Sequence, residues 1–428
     1  MVQRHVLDNG AIVLIDEMQD VRSFSLGFFV RTGSGDEPAA RQGISHFLEH
    51  LLFKRTRRRS NAEIARAIDR LGGDVDAFTT KEYTGFYVHT LDSRFAEALD
   101  LMGDVVLAPA FAAADIETER GVILEEIGEV NDNPDDLVHE IFVRSFWKSH
   151  PLGAPILGTA ETVSSIRKDD LYDYYRARYA PPNLIVVVAG HVPADFALAE
   201  IEKLFRRRFR EAVRRNAGDA ARAPRSHQHL EVRTRRGLEQ VHVCLGVAGP
   251  SQGSARRFAA GLLDVVLGGG MSSRLFQEVR EKRGLVYSIG SSLNAYRLGG
   301  YECVSAACAP KNLLRVLDVT LRELRKLKRG GVSASELARA KQNLTGNLLL
   351  ALESTVSRMS SAARSEFYFG RVVRPEEWIA KIEAVSADGV AAEAERLLDG
   401  RVLSLAVVGN VGKLPFSEPD LAVALSGR

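Results

Sequence analysis

Leu184-Ile-Val-Val-Val-Ala-Gly190 is a strand-like apolar run closed by glycine, and Leu403-Ser-Leu-Ala-Val-Val-Gly409 repeats its form near the other end of the chain. Outward from these two runs the same order of elements recurs in each half, and such self-similarity is weighed before any fold assignment. The first half has a β-like run at 23–32, a helical stretch at 44–53 and an alternating run at 83–90. The second has a β-like run at 240–248, a helical stretch at 258–267 and strand-like runs at 286–293 and 301–307. Helical tracts at 311–327 and 333–353 follow neighbouring strands, which favours antiparallel sheets backed by helices over a doubly wound parallel sheet. The expected fold is therefore α+β, with two similar domains at 1–205 and 230–428. The Arg-rich stretch 206–229, carrying Gly218 and Pro224, reads as a solvated basic linker between them.

With 428 residues, 45% of them hydrophobic, the chain has material for more than one core, since domains run to roughly 100–200 residues. Disordered and fibrous classes are excluded, and a net charge of +2 gives no support to nucleic-acid binding. Cys244, Cys303 and Cys308 make an odd count without CxxC spacing, so neither a disulfide framework nor a cysteine zinc site is indicated. A reducing compartment, the cytoplasm, is the expected location. The N-terminus reaches the turn signal Asn9-Gly10 without a preceding apolar core, and no apolar run approaches the ~18 residues of a membrane span. The cluster Gly268-Gly269-Gly270 lacks both the lysine of a P-loop and dinucleotide-site spacing.

The first constellation is His46-Phe-Leu-Glu49-His50. At ~100° per residue the two imidazoles and the carboxylate share one arc of about 100°, while Ile44, Phe47, Leu48, Leu51 and Leu52 fill the rest of the wheel. Such a helix is buried, and ionisable groups on it must be paired, neutralised or bound to a metal. Two histidines at i and i+4 suit one cation, and the carboxylate one residue before the second histidine suits a general base beside it. The order is H-x-x-E-H, the inverse of the commoner H-E-x-x-H. The structural alternative is a pair of hydrogen-bonded core histidines.

The second constellation lies in residues 115–130, helix-forming despite Gly121 and Gly128, with Asp115 as the expected N-cap. On this wheel Glu119 and Glu126 fall among Val122, Ile123, Ile127 and Val130, on the inward face. One of these glutamates would complete a His2Glu zinc site and the other would orient a ligand or the base. The alternative pairs Glu119 with a core arginine and Glu126 with another donor. The cluster Lys54-Arg-Thr-Arg-Arg-Arg59 reads as a solvated loop after the first helix, and the remaining histidines show no metal-like spacing.

His46-Phe-Leu-Glu49-His50 followed by Glu119-Arg-Gly-Val-Ile-Leu-Glu-Glu126 resembles the pitrilysin or insulinase family of zinc peptidases, most of all its bacterial processing-peptidase-like members. The likeness spans the chain, through Gly33-Ser-Gly-Asp-Glu37, His150-Pro-Leu-Gly153, Tyr179-Ala-Pro-Pro-Asn183, Gly268 to Phe276 and Arg280 to Tyr287. It implies one zinc held by His46, His50 and Glu126, with Glu49 as the base and Glu119 supporting the site. It also implies that Arg280 and Tyr287 hold the substrate backbone and the developing oxyanion. Gly72 to Thr79 resembles the family's substrate-pairing edge strand, with Asp76 where the family usually has Asn, beside Ala77 and Phe78.

The activity so implied is metalloendopeptidase cleavage of extended peptides. The family's chamber closes between two two-domain units, and one chain here supplies one unit. A homodimer is expected because the chain carries both the zinc motif and the Arg280/Tyr287 pair; a heterodimer with a degenerate paralogue is the variant of that assembly. A different class of reading is a non-catalytic structural or partner subunit of a processing-peptidase-like complex. No nucleic-acid or membrane partner is expected.

Overall fold

The computed structural model describes residues 2–209, 222–399 and 402–425. The recurring order of elements becomes two sheets. The first joins β1 (Gln3–Val6), β2 (Ile12–Glu17), β3 (Ser23–Val30), β4 (Asp74–Thr79), β5 (Thr84–Leu91) and β6 (Leu184–Gly190) in the order β1-β2-β6-β3-β5-β4. The second joins β7 (Leu230–Thr234), β8 (Val241–Gly249), β9 (Val286–Ala295), β10 (Gly300–Cys308) and β11 (Leu403–Gly409) in the order β7-β11-β8-β10-β9. Without β1 the two orders correspond strand for strand. In each sheet one pair is parallel, β2 with β6 and β7 with β11, and the remaining pairs are antiparallel. The chain is thus α+β with a repeated, mainly antiparallel sheet.

Two compact units contain these sheets, one from Met1–Gly128, Ala154–Ala220 and Leu350–Val373, the other from Glu129–Gly153, Ala221–Leu349 and Arg374–Arg428. In the first, helices α1 (Ile44–Leu52) and α2 (Phe95–Leu107) share a core with the inward side chains of β3 and β6, among them Leu26, Phe28, Val186 and Val188. The opposite face carries Ile12, Leu14, Phe29, Ile185 and Val187 under a later helix of the chain. Both faces being covered, β6 can be apolar without alternation, as its sequence is.

The units exchange segments relative to a division at 1–205 and 230–428. Helix α3 (Ala113–Asp132) is followed by α4 (Pro134–Phe146), which packs Val138, Phe142 and Phe146 against Cys244, Tyr301, Cys303, Ala406 and Val408 of the second sheet. Reciprocally, α5 (Thr355–Phe369) places Met359, Ala362 and Ala363 on the outer face of the first sheet. Ion pairs within the first unit fix α5 there: Arg358 with Asp16, and Arg4 and Arg31 with Glu366. An amphipathic helix displays an apolar stripe, but the stripe does not say which sheet it will cover.

Three local expectations are corrected. Helix α3 begins at Ala113, so Asp115 is not the N-cap but lies in the first turn, where its carboxylate meets Arg55 Nε at 2.8 Å; the alanines ahead of it carry the helix further. Val122 is 42% exposed, and the fully buried stripe of α3 narrows to Ile116, Glu119 and Ile123. The basic cluster is not simply solvated: Arg58 and Arg59 converge with Arg208 and Thr56 on the buried carboxylate of Asp104. A carboxylate with no exposure needs such donors. Of the expected linker, 206–208 end the helix Ala194–Arg208, and 210–221 lie outside the described residues. Among the described residues, no helix is long and apolar enough to cross a membrane.

Candidate metal centre

Helix α1 starts where a buried carboxylate meets it. Glu37 accepts from the backbone N–H of Gly43 at 2.7 Å and of Ser45 at 2.8 Å, using both oxygens. Free N–H groups at a helix start favour an anion there. Burial nevertheless pushes the Glu37 carboxyl up to about 7, against the pull of those two amides. Gly43, at φ +93°, makes the turn into the helix, and a Cβ on it would lie 2.5 Å from the Leu157 carbonyl oxygen. Ile44, Phe47, Leu48, Leu51 and Leu52 are then buried, and His46, Glu49 and His50 occupy the remaining arc, half-buried.

Opposite that arc lies α3. Glu126 Oε2 is 3.6 Å from His46 Nε2 and 3.5 Å from His50 Nε2, and the His46 and His50 rings stand edge to face at 4.6 Å. Glu119 is 2% exposed and approaches the far side of His50, with Oε2 3.1 Å from Nδ1. Its other oxygen meets Lys54 Nζ at 2.9 Å, a lysine rather than the alternative core arginine. With its Nδ1–H donating to Glu119, His50 turns the Nε2 lone pair to Glu126. Burial, and then the neighbouring His50, push the His46 imidazole down to about 3.

Two imidazole nitrogens therefore converge on one carboxylate oxygen, at 3.6 and 3.5 Å. Glu126 Oε2 is buried without a hydrogen-bond partner, a condition that costs about 1–3 kcal/mol or more for a charged group. A divalent cation removes that cost. Tetrahedral zinc with N and O ligands at ~2.0–2.2 Å would space them by roughly 3.4 Å, close to the 3.5 and 3.6 Å here. The donor set fits zinc.

Glu49 shares the arc but points to β4, where it accepts from Thr79 Oγ1 at 2.5 Å. Burial raises its carboxyl above the usual range, and the Thr79 bond opposes that rise. Strand β4 is an edge of its sheet, paired on one side with β5. Asp76, Ala77 and Phe78 lie along it, and the Ala77 amide donates to Asp76 Oδ1 at 2.8 Å. Asp76 also accepts from Tyr87 OH at 3.2 Å. Arg280 and Tyr287 belong to the other unit. There the guanidinium lies 5.4 Å over the Tyr287 ring, and Tyr287 is 79% exposed.

Sequence reasoning missed three contributors. Lys54 reads as part of a basic loop, although it stands about one helical turn after His50 and so falls near it. Thr79 and Glu37 act across loops, which no helical period reveals; the only sign of Glu37 is its own acidic character ahead of Gly43, the glycine that opens α1.

The insulinase description, peptidase family M16, matches residues 12–160, and the description of the M16 inactive domain matches residues 165–344. An uncharacterised zinc protease of Mycobacterium tuberculosis is 40% identical over 415 residues, 96% of this chain and 93% of the relative. One of Bacillus subtilis is 36% identical over 416 residues, 97% of this chain and 100% of the relative. A crystal structure of a peptidase M16 inactive domain from Pseudomonas fluorescens superposes with a TM-score of 0.87 at 21% identity, covering 97% of this chain and 100% of that one. That likeness concerns the fold; identity over nearly the whole length of the first two relatives carries the assignment, and the chain belongs to the M16 insulinase family of peptidases.

Proposed function

We propose that the protein is a zinc-dependent endopeptidase that cleaves extended peptides or unfolded segments. The observation that carries this reading is the convergence of His46 Nε2, His50 Nε2 and the unpartnered Glu126 Oε2, with Glu49 on the same helical arc. Zinc held by these three residues would supply a Lewis acid for the scissile carbonyl and lower the pKa of water towards ~7.

The chain's own residues divide the remaining tasks. Glu49 takes a proton from the attacking water as the new C–O bond forms and passes it to the amine as the C–N bond breaks. Its raised carboxyl suits that exchange. Glu119 and Lys54 hold His50 in the tautomer that a metal ligand requires. The free edge of β4 would receive the substrate as an added strand, whose main-chain hydrogen bonds largely ignore sequence. Arg280 and Tyr287 would donate to the substrate backbone and the oxyanion, roles that a guanidinium and a phenol can fill without competing for the metal. Since one chain carries both parts, two copies closing on each other would form a complete chamber, and a homodimer is the proposed assembly.

Cleavage of a mixed peptide library by the purified protein tests this. Activity should be abolished by a chelator, restored by zinc, and absent in Glu49→Gln. Full activity in Glu49→Gln would remove the proposed base, and a stably metal-free, inactive native protein would favour the partner-subunit reading.

A further inference from the structure

Helix α4 is pressed closely onto the second sheet. The Phe142 ring rests on Gly246, where a Cβ would come within 2.4 Å of it. One turn earlier on the same helix, His139 Nδ1 lies 3.8 Å from Cys244 Sγ on β8. On β10, Cys303 is opposite Gly246 while Cys244 is opposite Ser305, so the two thiols are diagonal neighbours on one face of the sheet. His139, Cys244 and Cys303 each offer a ligand atom within 4.8 Å of the others. Cys244 is wholly buried and Cys303 is 2% exposed. On the third strand, Ser292 is opposite Cys303, with its hydroxyl 3.4 Å from that sulfur.

We propose that His139, Cys244 and Cys303 form a second, structural metal site that takes a thiophilic divalent cation, zinc foremost. Tetrahedral zinc with ligands at ~2.3 Å to sulfur and ~2.0–2.1 Å to nitrogen separates S from N by roughly 3.6 Å. The observed 3.8 Å needs little adjustment. Binding releases two thiol protons to solvent and leaves two thiolates, a neutral imidazole and a divalent ion, a set with no net charge and therefore compatible with a core. A monovalent copper ion would leave a buried negative charge. The Ser292 hydroxyl or a water completes the fourth position. The ion would tie α4 to β8 and β10, three elements far apart in the sequence, which is why no CxxC spacing announces it. None of its ligands belongs to the His46, His50 and Glu126 centre, so either proposal can fail alone.

The test uses the whole chain, purified under reductant, stripped with a chelator and titrated with cobalt(II). Thiolate ligands give an intense sulfur-to-cobalt charge-transfer band in the near ultraviolet; imidazole and carboxylate ligands do not. The band should appear in the wild type and in His46→Ala, and be lost in Cys303→Ser. In His46→Ala, zinc should also raise the apparent melting temperature. Absence of the band from the wild type at saturating cobalt would overturn the proposal, whether or not the cysteine variant folds. So would persistence of the band in folded Cys303→Ser, or formation of a Cys244–Cys303 disulfide in place of metal uptake.

Discussion

His50 Nδ1 lies 3.1 Å from Glu119 Oε2, and the second oxygen of that buried carboxylate lies 2.9 Å from Lys54 Nζ. The carboxylate is thereby fixed at both ends, and the ring it holds presents its other nitrogen to Glu126. Glu119→Gln keeps the shape but weakens the charge on that hydrogen bond, and such outer partners typically contribute 10–100-fold in metal affinity. A loss of that size, read by competition with a chromophoric chelator, is expected; unchanged affinity would mean that Glu119 serves packing only.

Glu49 meets Thr79 across the gap between α1 and β4. Because it does not point at Glu126's oxygen, Glu49→Gln should retain zinc while turnover falls by about 10²–10⁴-fold, the usual contribution of a positioned acid–base group. Metal content and kcat measured on one preparation separate the two effects. A parallel loss of both would assign Glu49 to the ligand set instead.

Glu37 supplies a pH-dependent contribution to stability. Its carboxyl is raised from 4.5 to about 7 by burial. Between those values the folded chain holds a proton that the unfolded chain has released, so the Glu37 contribution declines as pH rises through that window and is lowest above 7. Glu37→Gln removes this titration. Urea midpoints at pH 5 and pH 8 should therefore differ less in Glu37→Gln than in the wild type, and an identical pH slope in both would refute the assignment.

Gly43 opens α1 with a left-handed backbone and with the Leu157 carbonyl pressed against it. Gly43→Ala combines about 1–2 kcal/mol of conformational strain with a steric contact that only backbone movement can relieve. Displacing the start of α1 moves His46, three residues on. Lower thermal stability together with weaker zinc binding is the expected pair of results; a destabilised variant with wild-type zinc affinity would show that the helix start does not set the ligands.

Tyr287 is exposed and carries Arg280 over its ring. If its hydroxyl meets the oxyanion, Tyr287→Phe should lower kcat by about 10²–10³-fold with little change in KM, as for loss of one oxyanion donor. A change confined to KM would give Tyr287 a binding role only.

Much of this arrangement is legible in the sequence, for physical reasons. A 3.6-residue period puts His46, Glu49 and His50 on one arc of α1, and apolar neighbours on the remaining arc force that helix inward. The same period marks Glu119 and Glu126 as carboxylates on a stripe that has no business being charged without a partner. The repeated order of strands is visible because β6 and β11, covered on both faces, are continuous apolar runs. What is not legible depends on contacts distant in sequence. The apolar stripes of α4 and α5 do not reveal which sheet each will cover. Asp104 gathers Arg58, Arg59 and Arg208, so a cluster that reads as solvated is an ion-pair network. Val122 follows the period of α3 yet faces solvent, because one wall of that helix is left uncovered.

Zinc bound per chain, compared between the wild type and His46→Ala/His50→Ala after dialysis against the same buffered zinc, tests the metal centre most directly, since a difference is unaffected by any ion held elsewhere. A deficit of one zinc in the folded double variant is expected. Equal zinc content in the two proteins would contradict the assignment of His46, His50 and Glu126 as a metal site and, with it, the hydrolytic mechanism.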